Sequence, residues 1–487
     1  MSTVQQAPPH AAVPAWAEEW TETTRLLCAA AYLDGTFAQE VTDEIVDEPF
    51  RAVRVPEGVD IVPIVKHCLA ARRQKTIRDI VLFVIFVLSV VLFYRRSSNG
   101  YSQESFHYGY LLLGFVLGWA TIAIDFWIAT YGVARKRLTA TSFRPQDAPQ
   151  PVDAVAAAQI EELARRQHGN VVVYSGFNPF ASSGFDLEGW SFVIDLRKGR
   201  ERLGQRAEPK PFDAREMNDA IAKSIARLGI PGLSIQDRIF VSGSDIRDDR
   251  VLLPDIAARP VADVGPETMD GFIRTPTHRV RHYRCFRVVD WRGELVVTLY
   301  LRFAVGNGRL FAELSRFVLP PLRPEFRRID ALAQESSLRQ AFALLQRSFW
   351  LTFPLGLRSL LTPVRPLLRV QRRAKSERQV RRDYFFDYGS RRSALDRARS
   401  TDYTRYFQKL DKEMYVKLFD RTLLDAIVEF LDEHDVETNE LADRRETIIN
   451  NGIMVPGGSV QAHNIAVGEG ATIVDRLRSS VTRGKAT

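Results

Sequence analysis

Histidine and serine side chains are the first residues to consider for catalysis. His278 and His282 are four residues apart, as two metal ligands on one helix face would be, but no HExxH motif accompanies them and the local pattern predicts a strand. Ser242, His282 and Asp245 offer a hydrolase set, yet GxSxG is absent and any chain of this length contains such a trio. The Ser-Gly-Ser-Asp run 242–245 is more simply a turn after a strand. We therefore assign no catalytic residue.

A loop rich in glycine and serine is the next candidate. Residues 175–190 read SGFNPFASSGFDLEGW, but their spacing fits neither GxxxxGK[ST] nor GxGxxG, and no lysine follows in place. The Asn-Pro step and the glycines favour an ordered surface loop. A membrane-tethered enzyme with its site near 175–190 remains an alternative.

The cysteines predict neither a disulfide framework nor a zinc site. Cys28, Cys68 and Cys285 are far apart and form no CxxC motif or Cys/His cluster. Reduced thiols fit a cytoplasmic compartment. We assign no metal and no cofactor.

Two apolar segments predict a transmembrane hairpin over residues 76–135. The run Ile80–Tyr94 is about 22 Å long as a helix, slightly short of a span, but arginines at its ends can snorkel to water. The second segment, Tyr108–Val133, is long enough to span and has aromatic residues at both ends. The connection 97–107 is too short to hold a domain.

Basic residues around this hairpin predict its orientation. They are Arg72, Arg73, Lys75 and Arg78 before it and Arg135, Lys136, Arg137 and Arg144 after it, against Arg95 and Arg96 in the loop. By the positive-inside rule both termini are expected in the cytoplasm, with the protein in a bacterial plasma membrane. The N-terminal sequence lacks the basic and apolar regions of a signal peptide.

The second apolar segment carries one face of small and polar residues. Spacings of three and four residues place them on one side of a helix: Gly114, Gly118, Thr121, Asp125 and Ala129. Small residues allow close approach, so this face is predicted to pack against the first span or a second copy. An ionised carboxylate within a span costs about 2.5–3.5 kcal/mol, so Asp125 should face protein. A packing contact is favoured, and a proton or ion relay in a transport or secretion assembly is the alternative.

The remaining sequence predicts mixed helices and strands. Val280–Val289, Leu295–Val305 and Leu310–Val318 read as an antiparallel β-meander with tight turns. Alternation in the middle strand predicts a sheet with one buried face. An amphipathic helix is expected at Asp213–Leu228, with Asp213 as its N-cap.

The predicted fold class is therefore α+β with a two-helix transmembrane hairpin, a cytoplasmic α+β domain containing the antiparallel meander, and helical N-terminal and C-terminal segments. The predicted segments are 1–15 (disordered), 16–75 (acidic and helical), 76–135 (hairpin), 152–330 (α+β domain), 338–382 (basic, amphipathic, membrane-proximal), 400–450 (C-terminal helices) and 451–487 (Gly-rich tail of short strands). A helix at 61–73 is expected to run into the first span. The acidic region is also a possible contact for the basic segment at 358–382.

The segment 338–382 joins an apolar, aromatic stretch to a cluster of arginines. This pairing is typical of a segment on an anionic membrane surface. The predicted lipid contacts are Arg358, Arg365, Arg369, Arg372 and Arg373. Nucleic acid also binds arginine clusters, but no helix-turn-helix, zinc-finger or RNP signature is present, so nucleic acid is not the expected partner. A solvated basic linker remains open.

Three segments resemble uncharacterised two-pass membrane proteins of actinobacteria. They are LLCAAAYLDGTFAQEV, VVVYSGFNPFASSGFDLEGWSFVIDL and YFQKLDKEMYVKLFDRTLLDAIVEFLDEH with the Gly-rich tail. The resemblance covers much of the chain, but it implies no activity and transfers no functional residue.

The class predicted from these patterns is a membrane-anchored cytoplasmic binding, scaffold or signalling protein rather than an enzyme. A content of 45% hydrophobic and 26% charged residues fits folded domains. The expected partners are the lipid bilayer, anionic lipid headgroups, and a protein partner or a second copy of the chain.

Overall fold

The computed structural model describes residues 21–54, 56–98, 105–202, 205–334, 337–391, 394–439 and 441. The chain divides after Thr438 into two compact units, and the fold below is that of the first. The segment 1–15, predicted to be disordered, and the strands predicted in the tail 451–487 lie outside the described residues.

The first part of the fold is helical. Its helices are α1 (Thr21–Leu33), α2 (Phe37–Ile45), α3 (Ile61–Ser98), α4 (Ser105–Trp127) and α5 (Ala154–Arg166). Helix α3 is 38 residues long, which confirms that the helix predicted at 61–73 continues into the first apolar run. Helix α4 passes into a π-helical segment, Ile128–Ala134, and then into a last α-helical turn, Arg135–Arg137.

A six-stranded sheet forms the centre of the second part. The strands are β1 (Val171–Tyr174), β2 (Phe185–Asp195), β5 (Leu233–Ser242), β6 (Val280–Asp290), β7 (Leu295–Gly306) and β8 (Arg309–Leu319), while β3 (Glu201–Arg202) pairs only with β4 (Gln205–Arg206). The sheet order is β1-β5-β6-β7-β8-β2, with β1 parallel to β5 and the other pairs antiparallel. The predicted meander β6-β7-β8 is confirmed.

Further helices lie between and after the strands. They are α6 (Ala214–Ala226), α7 (Pro266–Arg274), α8 (Arg328–Gln334), α9 (Ser337–Ser359), α10 (Arg365–Arg382), α11 (Ala394–Arg397) and α12 (Tyr406–Glu433). The predicted N-cap of α6 is confirmed, because Asp213 and Glu216 form a reciprocal capping box. Gly229, which follows α6, has a φ of 60°, the left-handed conformation that ends helices.

Both faces of the sheet are covered. Helices α6 and α12 lie over one face, where the rings of Phe286 and Phe419 are 6.5 Å apart. Phe180, from the loop before β2, packs against Tyr300 in an aromatic cluster on the other face. Residues 295–301 of β7 are consequently all buried. The prediction of one buried face is wrong, because alternation does not reveal a loop folding back onto the second face.

Strand β2 begins inside the segment 175–190 that was predicted to be a loop. Its pairing with β8 starts at Phe185 and shifts register between Asp186 and Gly189. Glu188 has a φ of 62°, so the extra residues form a bulge. The bulge interrupts the two-residue alternation of side chains. The sequence pattern therefore predicted only the part of β2 from Ser191 onward.

The N-terminal helices, the base of the apolar helices and parts of the C-terminal half share one hydrophobic core. Its members include Leu27, Ile64, Ala129, Phe326 and Leu395, which lie far apart in sequence. The acidic region also meets the basic segment, as the sequence suggested. A carboxylate oxygen of Asp47 lies 3.9 Å from Arg373 on α10, and Ser376 donates to Glu48.

Helices α3 and α4 are long and apolar enough to cross a membrane. They pack against each other at Gly114, where an added Cβ would overlap the side chain of Ser89 on α3. The hydroxyl of Ser89 donates to the carbonyl of Ile85 in its own helix. Close approach at Gly114 therefore depends on the missing side chain.

Gly114→Leu should lower the unfolding temperature of the full chain in mild detergent, because overpacking costs about 1–3 kcal/mol. Gly109→Leu is the matched control, since the described neighbours leave open space around a Cβ there. Gly118→Leu should fall between the two, because a Cβ at Gly118 meets its nearest neighbours at ordinary contact distance. Equal unfolding temperatures for the Gly114 and Gly109 variants would contradict this packing.

Candidate functional site

Helix α9 packs against α4 in the apolar part of the molecule. The indole N–H of Trp119 donates to the hydroxyl of Ser348 at 2.9 Å, and the hydroxyl of Tyr131 donates to Gln340 at 2.9 Å. These contacts run in opposite order along the two helices, so α9 is antiparallel to α4. Pro354 lies inside α9, beyond these contacts. The segment predicted as 338–382 is thus a pair of helices, the first of which accompanies the apolar helices.

A cavity of about 1050 Å³ lies between α2, α3, the end of α4, and helices α8 to α10. Part of its wall is apolar and includes Phe126, Leu344, Leu351 and Leu355. The rest is charged, with ten basic and five acidic side chains. The cavity is thus both large and positively charged.

All five arginines predicted as lipid contacts line this cavity: Arg358, Arg365, Arg369, Arg372 and Arg373. Arg365 forms an ion pair of 2.6 Å with Asp79, and Arg373 donates to the carbonyl of Val46. Arg358 and Arg372 are exposed. The sequence analysis did not predict a cavity, but the five arginines that it predicted as lipid contacts all line one.

Arg369 differs from its neighbours on α10. Its side chain is half-buried, yet among the residues that the structure describes its guanidinium has neither a hydrogen bond nor an ion pair. Burial, and then the nearby charge of Arg72, lower the pKa of Arg369 from its ordinary value, with Asp47 opposing them. The side chain thus presents to the cavity a positive charge that Asp47 and Asp43 offset only at a distance, without a direct ion pair.

An ionic network beside the cavity joins α3, α4 and α10. Arg78 donates to Asp125 at 3.0 Å and to Asp79 at 2.7 Å, and Gln74 donates to the other oxygen of Asp125 at 2.8 Å. Arg365 completes the network on the second oxygen of Asp79. The side chains of Asp79, Asp125 and Arg78 are only 5%, 8% and 9% exposed. Both oxygens of Asp125 are therefore used in contacts within the protein.

The other residues of the predicted packing face have separate surroundings. A Cβ at Gly118 would contact both Leu82 of α3 and Thr352 of α9. Thr121 donates back to the carbonyl of Leu117 in its own helix, and Ala129 is buried in the large core. Among the described residues, this face therefore contacts the first apolar helix at Gly114 and Gly118, and α9 at Gly118.

The residues considered for catalysis are not brought together. His282 is buried in β6 and bonds Asp237 at 2.8 Å. Burial lowers the pKa of His282, although Asp237 opposes this shift. Ser242 instead shares a hydrogen bond with Ser244, whose hydroxyl donates to Asp245. The hydrolase trio is not assembled.

The serine-rich loop is held by contacts to the rest of the protein. Ser175 donates to Asp387, and the hydroxyls of Ser183 and Tyr300 are 2.8 Å apart. The neighbouring cavity has a volume of about 60 Å³. Ligand pockets usually measure roughly 300–1,000 Å³, so this one does not suit a nucleotide.

The described residues contain no candidate metal site, because no three His, Cys, Asp or Glu side chains among them are grouped closely enough to hold an ion. The cysteines Cys28, Cys68 and Cys285 are buried and free.

Sequence reasoning missed cavity residues contributed by other elements. Arg72 on α3 and Arg347 on α9 line the cavity, and the guanidinium of Arg347 lies 5.4 Å from the centre of the Phe126 ring. One local signal was available, because Asp79 directly precedes the apolar run and requires a counterion there.

A family model described as an AbeC-like domain matches residues 189–461, more than half of the chain. Within the described residues the match runs from β2 to α12, so it contains α9 and α10 but neither α3 nor α4. No curated protein and no solved structure matches the chain.

Asp79→Asn should destabilise the protein by up to about 3–5 kcal/mol, because it removes the carboxylate that pairs with Arg365 and leaves Arg78 with Asp125 alone as a counter-charge. Asp125→Asn should cost less, since an amide oxygen can still accept from Gln74. Asp147→Asn, at an exposed position, is the control. Thermal unfolding in mild detergent measures all three. A loss for Asp125→Asn equal to that for Asp79→Asn would show that Asp79 is not the centre of the network.

Proposed function

The chain belongs to the AbeC-like family, and we propose that it is a membrane-anchored cytoplasmic binding protein, held in the plasma membrane by α3 and α4. The exposure of these two helices carries the proposal. Only 17% of the apolar window of each is buried inside the protein. A core helix of a soluble protein is mostly buried, whereas apolar side chains of a spanning helix face lipid.

Helices α9 and α10 enter the cytoplasmic leaflet beside this hairpin. Phe342, Trp350 and Phe353 of α9 are 70%, 72% and 76% exposed, although α9 packs on α4 with its other side. Leu367 and Val370 of α10 are also largely exposed. Large apolar patches of this kind mark interaction surfaces, and the neighbouring arginines suit the headgroup region.

The orientation follows from the ends of the hairpin. The first turns of α3 and the end of α4 belong to the core shared with the sheet-bearing part of the chain. Basic residues concentrate at these ends, so they lie on the cytoplasmic side and the loop 97–107 lies outside.

Two alternatives to a binding function are transport and catalysis. Each would need polar side chains that already have partners within the protein. Transport would require Asp125 to exchange protons or ions, but its oxygens are engaged by Arg78 and Gln74. An enzyme site near 175–190 would require free hydroxyls, but Ser175 and Ser183 are engaged by side chains of the protein. The arginine-lined cavity remains as the binding site.

A cysteine at Ser102 should react with an impermeant thiol reagent in intact cells, because the loop is extracytoplasmic. A cysteine at Thr141, exposed just after the hairpin, should react only after lysis. The native cysteines are buried and supply a silent background. Labelling of the Thr141 variant but not the Ser102 variant in intact cells would show the opposite topology. Labelling of neither variant after lysis would contradict the exposure of both positions.

Trp350 should be quenched by brominated acyl chains if α9 faces lipid. In nanodiscs, Trp350→Phe should reduce the quenched fraction of tryptophan fluorescence. Trp190→Phe, in β2, should raise that fraction by removing an emitter outside the bilayer. An unchanged fraction in the Trp350 variant would place α9 out of the membrane.

A further inference from the structure

The cavity lies at the level where the apolar part of α3 begins. Arg78 and Asp79 line it, and Ile80 is the first residue of the apolar run. Phe126, in the last turn of α4, and Ala129, in the π-helical segment that follows, also line the cavity. With α3 and α4 spanning the membrane, this level is that of the lipid headgroups on the cytoplasmic side.

The wall of the cavity has two chemical parts. Leu344, Leu351 and Leu355 of α9 form an apolar strip together with Phe126. Arg369 and the next turns of α10 form a basic strip that continues to Arg372 and Arg373. A ligand that fills both parts must carry a negative group on an apolar body.

Arg373 of the basic strip lies 3.9 Å from Asp47, but Arg369 and Arg372 form no ion pair among the residues that the structure describes. Asp79 is occupied by Arg78 and Arg365, and Asp47 is paired with Arg72 at 2.8 Å. The guanidinium of Arg369 has no partner among the described residues. A half-buried guanidinium without a direct ion pair favours an anionic ligand, because its fork can bind two phosphate oxygens.

We propose that this cavity binds one anionic phospholipid of the cytoplasmic leaflet, with the phosphate on Arg369 and Arg372 and an acyl chain along Leu344, Leu351 and Leu355. The inference rests on the proposed function, because the membrane supplies the lipid. It goes beyond general attraction to an anionic surface, since it assigns one lipid to one cavity.

Size and lining distinguish this ligand from other phosphates. The volume of about 1050 Å³ is at the upper end of ligand cavities and far exceeds that of a phosphate ion. Nucleic acids contact proteins mainly through phosphates, sugars and base edges. A strip of leucine side chains does not bind such polar groups. An acyl chain fits that strip.

The test uses the full chain purified in a neutral detergent. Phosphatidylglycerol, phosphatidylcholine and inorganic phosphate are titrated separately, and the unfolding temperature and retained lipid are measured by thermal scanning and native mass spectrometry. Phosphatidylglycerol should raise the unfolding temperature and remain bound at one molecule per chain. Equal effects of phosphatidylcholine would overturn the anionic preference, and an equal effect of phosphate alone would overturn the lipid.

Arg369→Gln should weaken phosphatidylglycerol binding by roughly tenfold or more, since a charge-assisted phosphate contact is lost. Arg378→Gln is the matched control, because Arg378 is exposed on the same helix outside the cavity. Ala343→Trp should also weaken binding by filling the apolar part. The lipid-free unfolding temperature of the Arg369 variant should stay unchanged, which separates binding from folding.

An equal loss in the Arg369 and Arg378 variants would overturn the cavity and leave only surface attraction. That result would leave the proposed anchoring intact, whereas reversed or absent labelling at Ser102 would refute the anchoring irrespective of lipid affinity. A fully lipid-competent Ala343→Trp variant would likewise refute the acyl-chain position.

Discussion

The ion pairs of Arg78 with Asp79 and Asp125 hold the base of the two apolar helices together. Asp125 belongs to α4, and Arg78 and Asp79 belong to α3, so the contact fixes the relative height of the two helices. Arg365 binds the same Asp79 and adds α10 to the assembly. Buried charges of this kind are tolerated only when each has a partner, so the three helices depend on one another.

The cavity follows from this arrangement. Because α10 is tied to α3 at Asp79, its following turns carry Arg369 and Arg372 past the end of the hairpin. Helix α9 is held against α4 by Trp119 and Tyr131, and this leaves a space between the helices instead of a closed core. The same contacts that stabilise the hairpin therefore create an arginine-lined cavity next to it.

A second set of buried ion pairs joins the N-terminal region to the sheet. Glu57 pairs with Arg238 of β5 and lies 2.7 Å from Arg287 of β6. Burial raises the pKa of Glu57, but Arg238 and Arg287 more than offset this and keep the pKa below its ordinary value. The carboxylate thus stays ionised and links the segment before α3 to the sheet. The part of the family domain up to Thr438 and the two apolar helices consequently belong to one compact unit.

Local patterns in the sequence were sufficient for most features that are expressed within a short stretch of chain. They predicted the apolar helices, the meander, the cap at Asp213 and the arginines of α10, because each is expressed within a short stretch of chain. They also predicted that Asp125 faces protein, since a carboxylate in an apolar segment has few alternatives.

Tertiary structure alone decided which groups meet. The partner of Asp125, the position of α9 beside α4 and the return of the loop before β2 onto the sheet join residues tens to hundreds of positions apart. The bulge at Glu188 likewise depends on pairing with β8. Sequence periodicity indicates which face of an element is apolar, but not which other elements pack against it, and the cavity is defined by those contacts.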